Sequence, residues 1–396
     1  MPISKNIVES MNKSSWIRKM FEEGIKLRAK FGEDNVFDFS LGNPDLPPPP
    51  EFFTAISGIC SSNKKEKTVN EHGYMPNAGY LETREAVAVR VLIDHGVSLK
   101  AENIIMTCGA AGGLNVVLKT LLNPGEEVIV PKPFFAEYGA YVGNHNGKIT
   151  YVDTNADFSL NIEKINAAIS SNTKAILINS PNNPTGKVYS EKDIKELAGL
   201  LNAQAKNHGR IIYLISDEPY RELVYNGVKV PSILGNYSNS ILVTSYSKTL
   251  SIAGERLGFI AVNPMCDDVC NLLAGIILCN RILGFVNAPA LMQKILPDII
   301  NIKVNINIYK KRRDIFVTGL KNSGYEVTEP EGAFYIFPKS PIKDDVEFVK
   351  HLQKYNVLVV PGVGFGGPGY FRISYAVPEN VIKRSIPKFK EALEAL

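Results

Sequence analysis

The sequence runs to 396 residues, 45% hydrophobic and 21% charged, which exceeds one simple core and predicts two domains. Its 44 basic and 40 acidic residues leave a net charge of +4, too balanced for a nucleic-acid partner. No uncharged apolar stretch is long enough to span a membrane, and Met1–Ser10 has no signal-peptide apolar core.

In chain order, Ser14 and Ser15 are placed to cap a helix whose apolar positions, Ile17, Met20, Phe21, Ile25 and Phe31, fall on one face. A short strand is predicted over 36–40. Pro44 and the run Pro47–Pro50 predict an extended crossing that is neither helix nor central strand. The polar stretch 61–71 reads as an exposed loop. From 81 to 262 helical and β-type runs alternate. Helices are expected at 81–94, 113–122 and 191–207, and strands at 104–107, 128–130, 149–152, 175–179, 211–216 and 241–244. A further apolar run, 259–262, follows. This pattern predicts an α/β domain, a mostly parallel sheet sandwiched by helices. Beyond 291 a long helix to about 323 is expected, with Lys310-Lys311-Arg312-Arg313 on a solvated face. Strands at 326–328, 334–337, 357–360 and 370–375 and helices at 346–355 and 379–396 then complete a smaller α+β domain. The five cysteines are dispersed. Cys266 and Cys270, the one close pair, lack companions at zinc spacing, so no metal site is expected and the thiols are read as reduced, in a cytoplasmic protein.

Four segments fall just past the ends of predicted strands. They are Gly109-Ala110-Ala111-Gly112-Gly113, Asn179-Ser180-Pro181-Asn182-Asn183-Pro184-Thr185-Gly186, Asp217-Glu218-Pro219-Tyr220, and Ser245-Tyr246-Ser247-Lys248 with Arg256 eight residues on. Each alone is ordinary turn or capping chemistry. In a parallel sheet all four converge on one edge, where ligands bind. Asp217 follows a nearly continuous apolar run, and an ionised carboxylate placed so deeply needs a cation. The Gly109 turn offers free N–H groups at a helix start, suited to phosphate. Lys248 offers an amine that burial makes nucleophilic. A cationic ring nitrogen, a phosphate and an aldehyde together describe pyridoxal 5′-phosphate, PLP.

From Asp38 to Tyr375 the sequence resembles the fold-type-I, class I/II PLP-dependent aminotransferases, the aspartate-aminotransferase-like family. NSPNNPTG, SDEPY, SYSK with its following arginine, and FRIS at Phe371–Ser374 carry the resemblance in combination. It implies that Lys248 is the Schiff-base lysine and general base, and that Asp217 binds the pyridine nitrogen. Tyr220 and Asn183 would bond the ring's phenolic oxygen, with Asn183–Pro184 a cis bond. Ser245, Arg256 and the amides of Ala110 and Ala111 would hold the phosphate, and Phe135 would stack on the ring. Arg372 would clamp the substrate α-carboxylate, and Gly42 would close over the substrate. Tyr74 would reach the neighbouring subunit's phosphate, making the active unit a homodimer with shared sites. Arg281 is the candidate for a second substrate carboxylate.

The resemblance implies amino-group transfer between an L-amino acid and a 2-oxo acid. A PLP lyase or decarboxylase on the same fold is the alternative. Two departures stand out: alanines at Ala110 and Ala111, where relatives often carry a hydroxyl, and Glu255 in place of a frequent aromatic. The expected organisation is a large PLP-binding domain over 44–289, with 1–43 and 290–396 forming a discontinuous small domain.

Overall fold

The computed structural model describes residues 3–4, 7–8, 16–62 and 72–396. After a short strand, β1 (Phe37–Asp38), seven strands build the central sheet. They are β2 (Ile104–Cys108), β3 (Glu127–Lys132), β4 (Lys148–Asp153), β5 (Thr173–Asn179), β6 (Tyr213–Asp217), β7 (Ser240–Ser245) and β8 (Leu257–Val262). Their spatial order is β2-β8-β7-β6-β5-β3-β4. β3 to β7 pair in parallel, whereas β8 runs antiparallel to both β7 and β2. Successive residues of these strands serve opposite faces. Ile176 and Ile178 join one apolar core, Ala175 and Leu177 the other. Burial on both faces is why the inner strands read as continuous apolar runs rather than alternating ones, whereas β4, at the edge, is only partly buried.

Helices lie between the strands, with local causes visible in the sequence. Ser190 and Asp193 form a reciprocal capping box at the start of Glu191–His208, and Gly209 ends that helix in the left-handed conformation. Pro50 opens the helix Pro50–Ser62 instead of prolonging the extended crossing. A first-turn proline loses no helical hydrogen bond, so the crossing ends one residue earlier than expected. Of the expected loop 61–71, Ser61 and Ser62 close this helix and 63–71 lie outside the described residues.

A second core is built mainly from both ends of the chain, with Phe158, Tyr220, Leu223 and Tyr225 joining from the middle. It packs the helices Trp16–Phe31, Ile306–Asn322, Asp345–Gln353 and Glu379–Glu394 around short strands. These are β9 (Tyr335–Ile336), β10 (Val357–Leu358), β11 (Val360–Pro361) and β12 (Phe371–Ser374). β1 pairs with β10 in parallel, and β12 lies antiparallel between β11 and β9.

Several expectations are corrected here. The predicted helix 291–323 is two helices, Ala290–Ile299 and Ile306–Asn322, with Asn305 capping the second. Met292, Ile295, Leu296 and Ile299 of the first belong to the core of the large sheet. Residues 326–328 form no strand. In the first helix Met20 is buried, but Ile25 and Phe31 are exposed, because the line of Met20 and Gly24 faces inward. The proposed cap at Ser14 and Ser15, and the side chains of Ile17 and Phe21, lie outside what is described. The basic cluster is not a solvated face: Arg312 and Arg313 are buried. Arg312 pairs with Asp45 at 2.7 Å, and Arg313 bonds Asp314 and the carbonyl of Pro330.

Candidate active site

β5, β6 and β7 end side by side at Asn179, Asp217 and Ser245, with Asn179 in register with Asp217 and Asp217 with Val243. The turns that follow enclose a cavity of about 250 Å³. Because β8 is antiparallel, its first residues sit at this same edge, Gly258 opposite Ser245 and Leu257 opposite Cys108. That register delivers Arg256 to the cavity beside Ser245 and the Gly109 turn.

Asp217 is 5% exposed. Its Oδ2 accepts a 2.6 Å hydrogen bond from the Tyr138 hydroxyl, and its Oδ1 is buried without a partner. Burial, with the charge of Glu218 adding, pushes its carboxyl up to about 7, against the opposing Tyr138 bond. Asn179 braces the turn from both sides. Its amide donates to the Asp217 carbonyl at 2.7 Å, and its Oδ1 accepts from the Asn183 N–H at 2.7 Å.

Lys248 lines the same cavity as Asp217. Its Nζ donates to the carbonyl of Gly42 at 2.8 Å. Burial first, then the positive fields of Arg372 and Arg256, lower the amine to about 8, so about a tenth is unprotonated near neutral pH, far more than for an ordinary lysine.

The phosphate-type corner is equally direct. Ala110 and Ala111 line the cavity in the first turn of the helix Gly109–Leu121, where N–H groups lack helical partners. Arg256 adopts φ 56° and bonds the Ala253 carbonyl at 3.0 Å. A Cβ on Gly109, itself at φ 70°, would sit 2.8 Å from the Arg256 guanidinium. The left-handed φ, together with the close approach of that arginine, favours glycine there. Ser245 and Phe135 complete this part of the wall.

Arg372 enters from β12 and is 1% exposed. One terminal nitrogen donates to Asn183 Oδ1 at 3.1 Å and the other to the Ser40 carbonyl at 2.6 Å. Its Nε is buried without a partner, and the guanidinium lies between the rings of Tyr335 and Phe365 at 4.7 and 4.6 Å. Tyr335 also shares a 2.9 Å hydrogen bond with Tyr220, whose phenol burial holds well above its ordinary value. A Cβ on Gly42 would fall 2.0 Å from the Tyr335 hydroxyl, which explains glycine at that position.

The structure thus brings Gly42, Ala110, Ala111, Phe135, Asn183, Asp217, Tyr220, Ser245, Lys248, Arg256 and Arg372 to one cavity. It does not bring Tyr74, which is 94% exposed, or Arg281, which is exposed in the last turn of Val269–Ile282. Among the described residues the cis bonds are Lys132–Pro133 and Ser180–Pro181, so the expectation at Asn183–Pro184 is corrected. Glu255 is exposed, and nothing in the structure explains it. Tyr138, Asn179 and Tyr335 escaped sequence reasoning. Asn179 opens a motif already singled out and Tyr138 lies three residues after Phe135, whereas Tyr335 had no local signal.

Residues 34–389 match the sequence profile of aminotransferase class I and II. The chain belongs to this family. It is 33% identical over 395 residues to a probable aspartate aminotransferase of Methanocaldococcus jannaschii, covering 96% of this chain and 98% of the relative. It is 34% identical over 388 residues to a probable aspartate/prephenate aminotransferase of Aquifex aeolicus, covering 94% of each. Among solved structures, an amino transferase from Eubacterium rectale superposes with a TM-score of 0.96 at 38% identity, covering 100% of this chain and 99% of that one. The aspartate aminotransferase of Thermus thermophilus with maleate superposes at 0.85 with 27% identity, covering 99% and 100%. The protein is therefore a PLP-dependent aminotransferase of fold type I. The residues present fit the cofactor. The unpartnered Asp217 Oδ1 suits a protonated ring nitrogen, the Gly109 turn and Arg256 suit a phosphate, and Lys248 suits an aldehyde. Among the described residues, no helix is long and apolar enough to cross a membrane.

Proposed function

We propose that Lys248 is the residue that binds PLP covalently and then moves the substrate Cα proton. When bound, PLP supplies an electron sink for the electrons of the Cα–H bond. The chain's own groups do the rest. Asp217 holds the ring nitrogen protonated. Asn183, whose Oδ1 is engaged by Arg372, has its Nδ2 left to donate to the ring's phenolic oxygen, and Tyr220 donates beside it. Ser245, Arg256 and the amides of Ala110 and Ala111 hold the phosphate, and Phe135 stacks on the ring. Arg372 orients the α-carboxylate with its planar guanidinium. Gly42 closes over the substrate, and its carbonyl receives the Lys248 amine whenever that amine is free. Positioned proton transfer of this kind contributes roughly 10²–10⁴-fold.

The observation that supports this reading is that an unpartnered buried carboxylate oxygen and an amine lowered by burial line one cavity. Borohydride reduction of the PLP-loaded enzyme followed by peptide mapping tests it. The expected label is on Lys248, and a label on any other lysine overturns the assignment.

The same reading makes the active unit a homodimer, with Tyr74 completing the neighbour's phosphate site. Its high exposure in one chain supports this. The large cofactor-binding unit, expected over 44–289, extends through the helix Ala290–Ile299 on the packing described above. The small unit comprises the N-terminal segment and the residues beyond. The relatives named for aspartate and the Thermus structure with maleate support an acidic amino donor. Lys248, Arg256 and Arg372 are the basic residues lining the cavity of one chain, and each already has a role there. The donor's second carboxylate would thus meet a cation from the neighbouring subunit, for which Arg281 is the candidate. The dispersed free cysteines support a cytoplasmic location.

A further inference from the structure

Behind the Asp217 turn lies a second, closed-in chamber of about 40 Å³ that shares Ser245 with the main cavity. Successive residues at the end of β6 point to opposite sides, so Asp217 faces the cofactor cavity and Glu218 faces this chamber. Glu218 is 2% exposed. Ser216 donates to its Oε1 at 2.7 Å and Arg221 to its Oε2 at 2.7 Å, and His95 Nε2 lies 3.9 Å from Oε2. The backbone on either side is tied to β7. The Glu218 N–H donates to the Val243 carbonyl at 2.9 Å, and the Thr244 hydroxyl donates to the Glu218 carbonyl at 2.9 Å.

The polar groups around it come from the helix Leu81–His95, from its own turn and from β7 and the segment after it. From the helix Leu81–His95, Arg90 pairs with Asp94 at 2.8 Å and with Glu222 at 3.1 Å, and Asp94 also supplies a carbonyl to Arg221 at 2.7 Å. Burial, then the positive charge of Arg221, keeps His95 neutral, and its Nδ1 has no partner. From the segment after β7, the Tyr246 hydroxyl is buried without a partner in the same chamber. Of the residues lining the chamber, Ser245 alone also lines the cofactor cavity. A buried carboxylate paired with Arg221 at 2.7 Å and set so firmly one residue from Asp217 is costly to build unless it serves a purpose there.

We propose that Glu218 is a positioning residue for cofactor chemistry: bonded by Ser216 and Arg221, it places a fixed negative charge behind Asp217 that strengthens the hold of Asp217 on the protonated ring. This rests on the assignment of Asp217 to the ring nitrogen. Two anions in series bind a cation more tightly than one, and the low-dielectric surroundings preserve the effect.

The test is a pH titration of the near-visible absorption of the PLP-loaded enzyme, with steady-state kinetics alongside. Glu218→Gln removes the charge and nearly preserves the shape. Its absorption transition between protonated and deprotonated cofactor forms should move to lower pH, and kcat should fall about tenfold with KM less changed, the lower end of what outer partners supply at metal sites. Glu218→Asp keeps the charge and should leave the transition near that of the parent. Arg221→Met leaves Glu218 uncompensated and should move it to higher pH, which keeps the test open if Glu218→Gln does not fold. A transition in Glu218→Gln that coincides with the parent's, or equal shifts in Gln and Asp, would overturn the proposal. Asp217→Asn is the control. If it too leaves the transition unmoved, the ring-nitrogen assignment fails instead, and the proposal falls with it.

Discussion

Asp217 and Lys248 show how one environment shifts two groups toward each other. Burial raises the carboxyl to about 7 and lowers the amine to about 8, because it disfavours the charged form of each. The consequence for stability can be measured without the cofactor. The folded carboxyl titrates near 7 and the unfolded one near 3.8. Its contribution is therefore fully present below the unfolded value and is lost as pH rises through the folded one. PLP-free enzyme should lose on the order of a few kcal/mol from this group between those limits. Asp217→Asn should abolish that slope, and saturating PLP should oppose it by pairing the carboxylate with a cation. Thermal melts at several pH values give the answer. Equal slopes in parent and variant would show that Asp217 is not the titrating group.

At the scale of elements, the crossing that begins at Pro44 is held by ion pairing as well as by proline stiffness. Asp45 meets Arg312 of the helix Ile306–Asn322 at 2.7 Å, and the Leu46 carbonyl accepts from Ser251, three residues past Lys248. One segment thereby ties the small core to the lysine loop. Arg312→Met should destabilise the protein by about 2 kcal/mol, below the 3–5 typical of a broken buried pair because Asp45 keeps some contact with water. Denaturant melts of Arg312→Met, with Asp45→Asn as the matching half of the pair, measure this. Additive losses in the double variant would mean that the pair has no coupling. In the basic cluster, sequence reasoning weighed the run of charge and expected solvation. Burial of Arg312 and Arg313 depended on partners at positions 45, 314 and 330, two of which lie in other segments of the chain.

At the scale of the whole molecule, two residues placed outside the single-chain cavity carry the predictions. Mixing Lys248→Ala chains with Tyr74→Phe chains should restore activity, since each hybrid contains one site with both residues intact. Absence of recovery, with hybrids confirmed by native mass spectrometry, would place the action of Tyr74 within its own subunit. Arg281→Met should lower kcat/KM for aspartate or glutamate by the equivalent of about 2–5 kcal/mol, as losing one partner of a buried charge pair does at interfaces, and much less for alanine. Equal loss on all three donors would remove Arg281 from the substrate site.

The sheet and most of the residues lining the cavity were legible in the sequence because they depend on local order. Apolar runs mark strands buried on both faces, and in a parallel sheet every residue just past such a run arrives at the same edge. That reasoning alone puts Asp217, Asn183, Ser245 and Lys248 together. What the tertiary structure alone decided are pairings between distant segments. The antiparallel insertion of β8 is what sets Arg256 beside Gly109. Tyr138 bonds Asp217 from 79 residues away, and Tyr335 bonds Tyr220 from 115. The helix Ala290–Ile299 joined the large core because its apolar face met the helices Pro50–Ser62 and Leu81–His95, a choice its own periodicity leaves open.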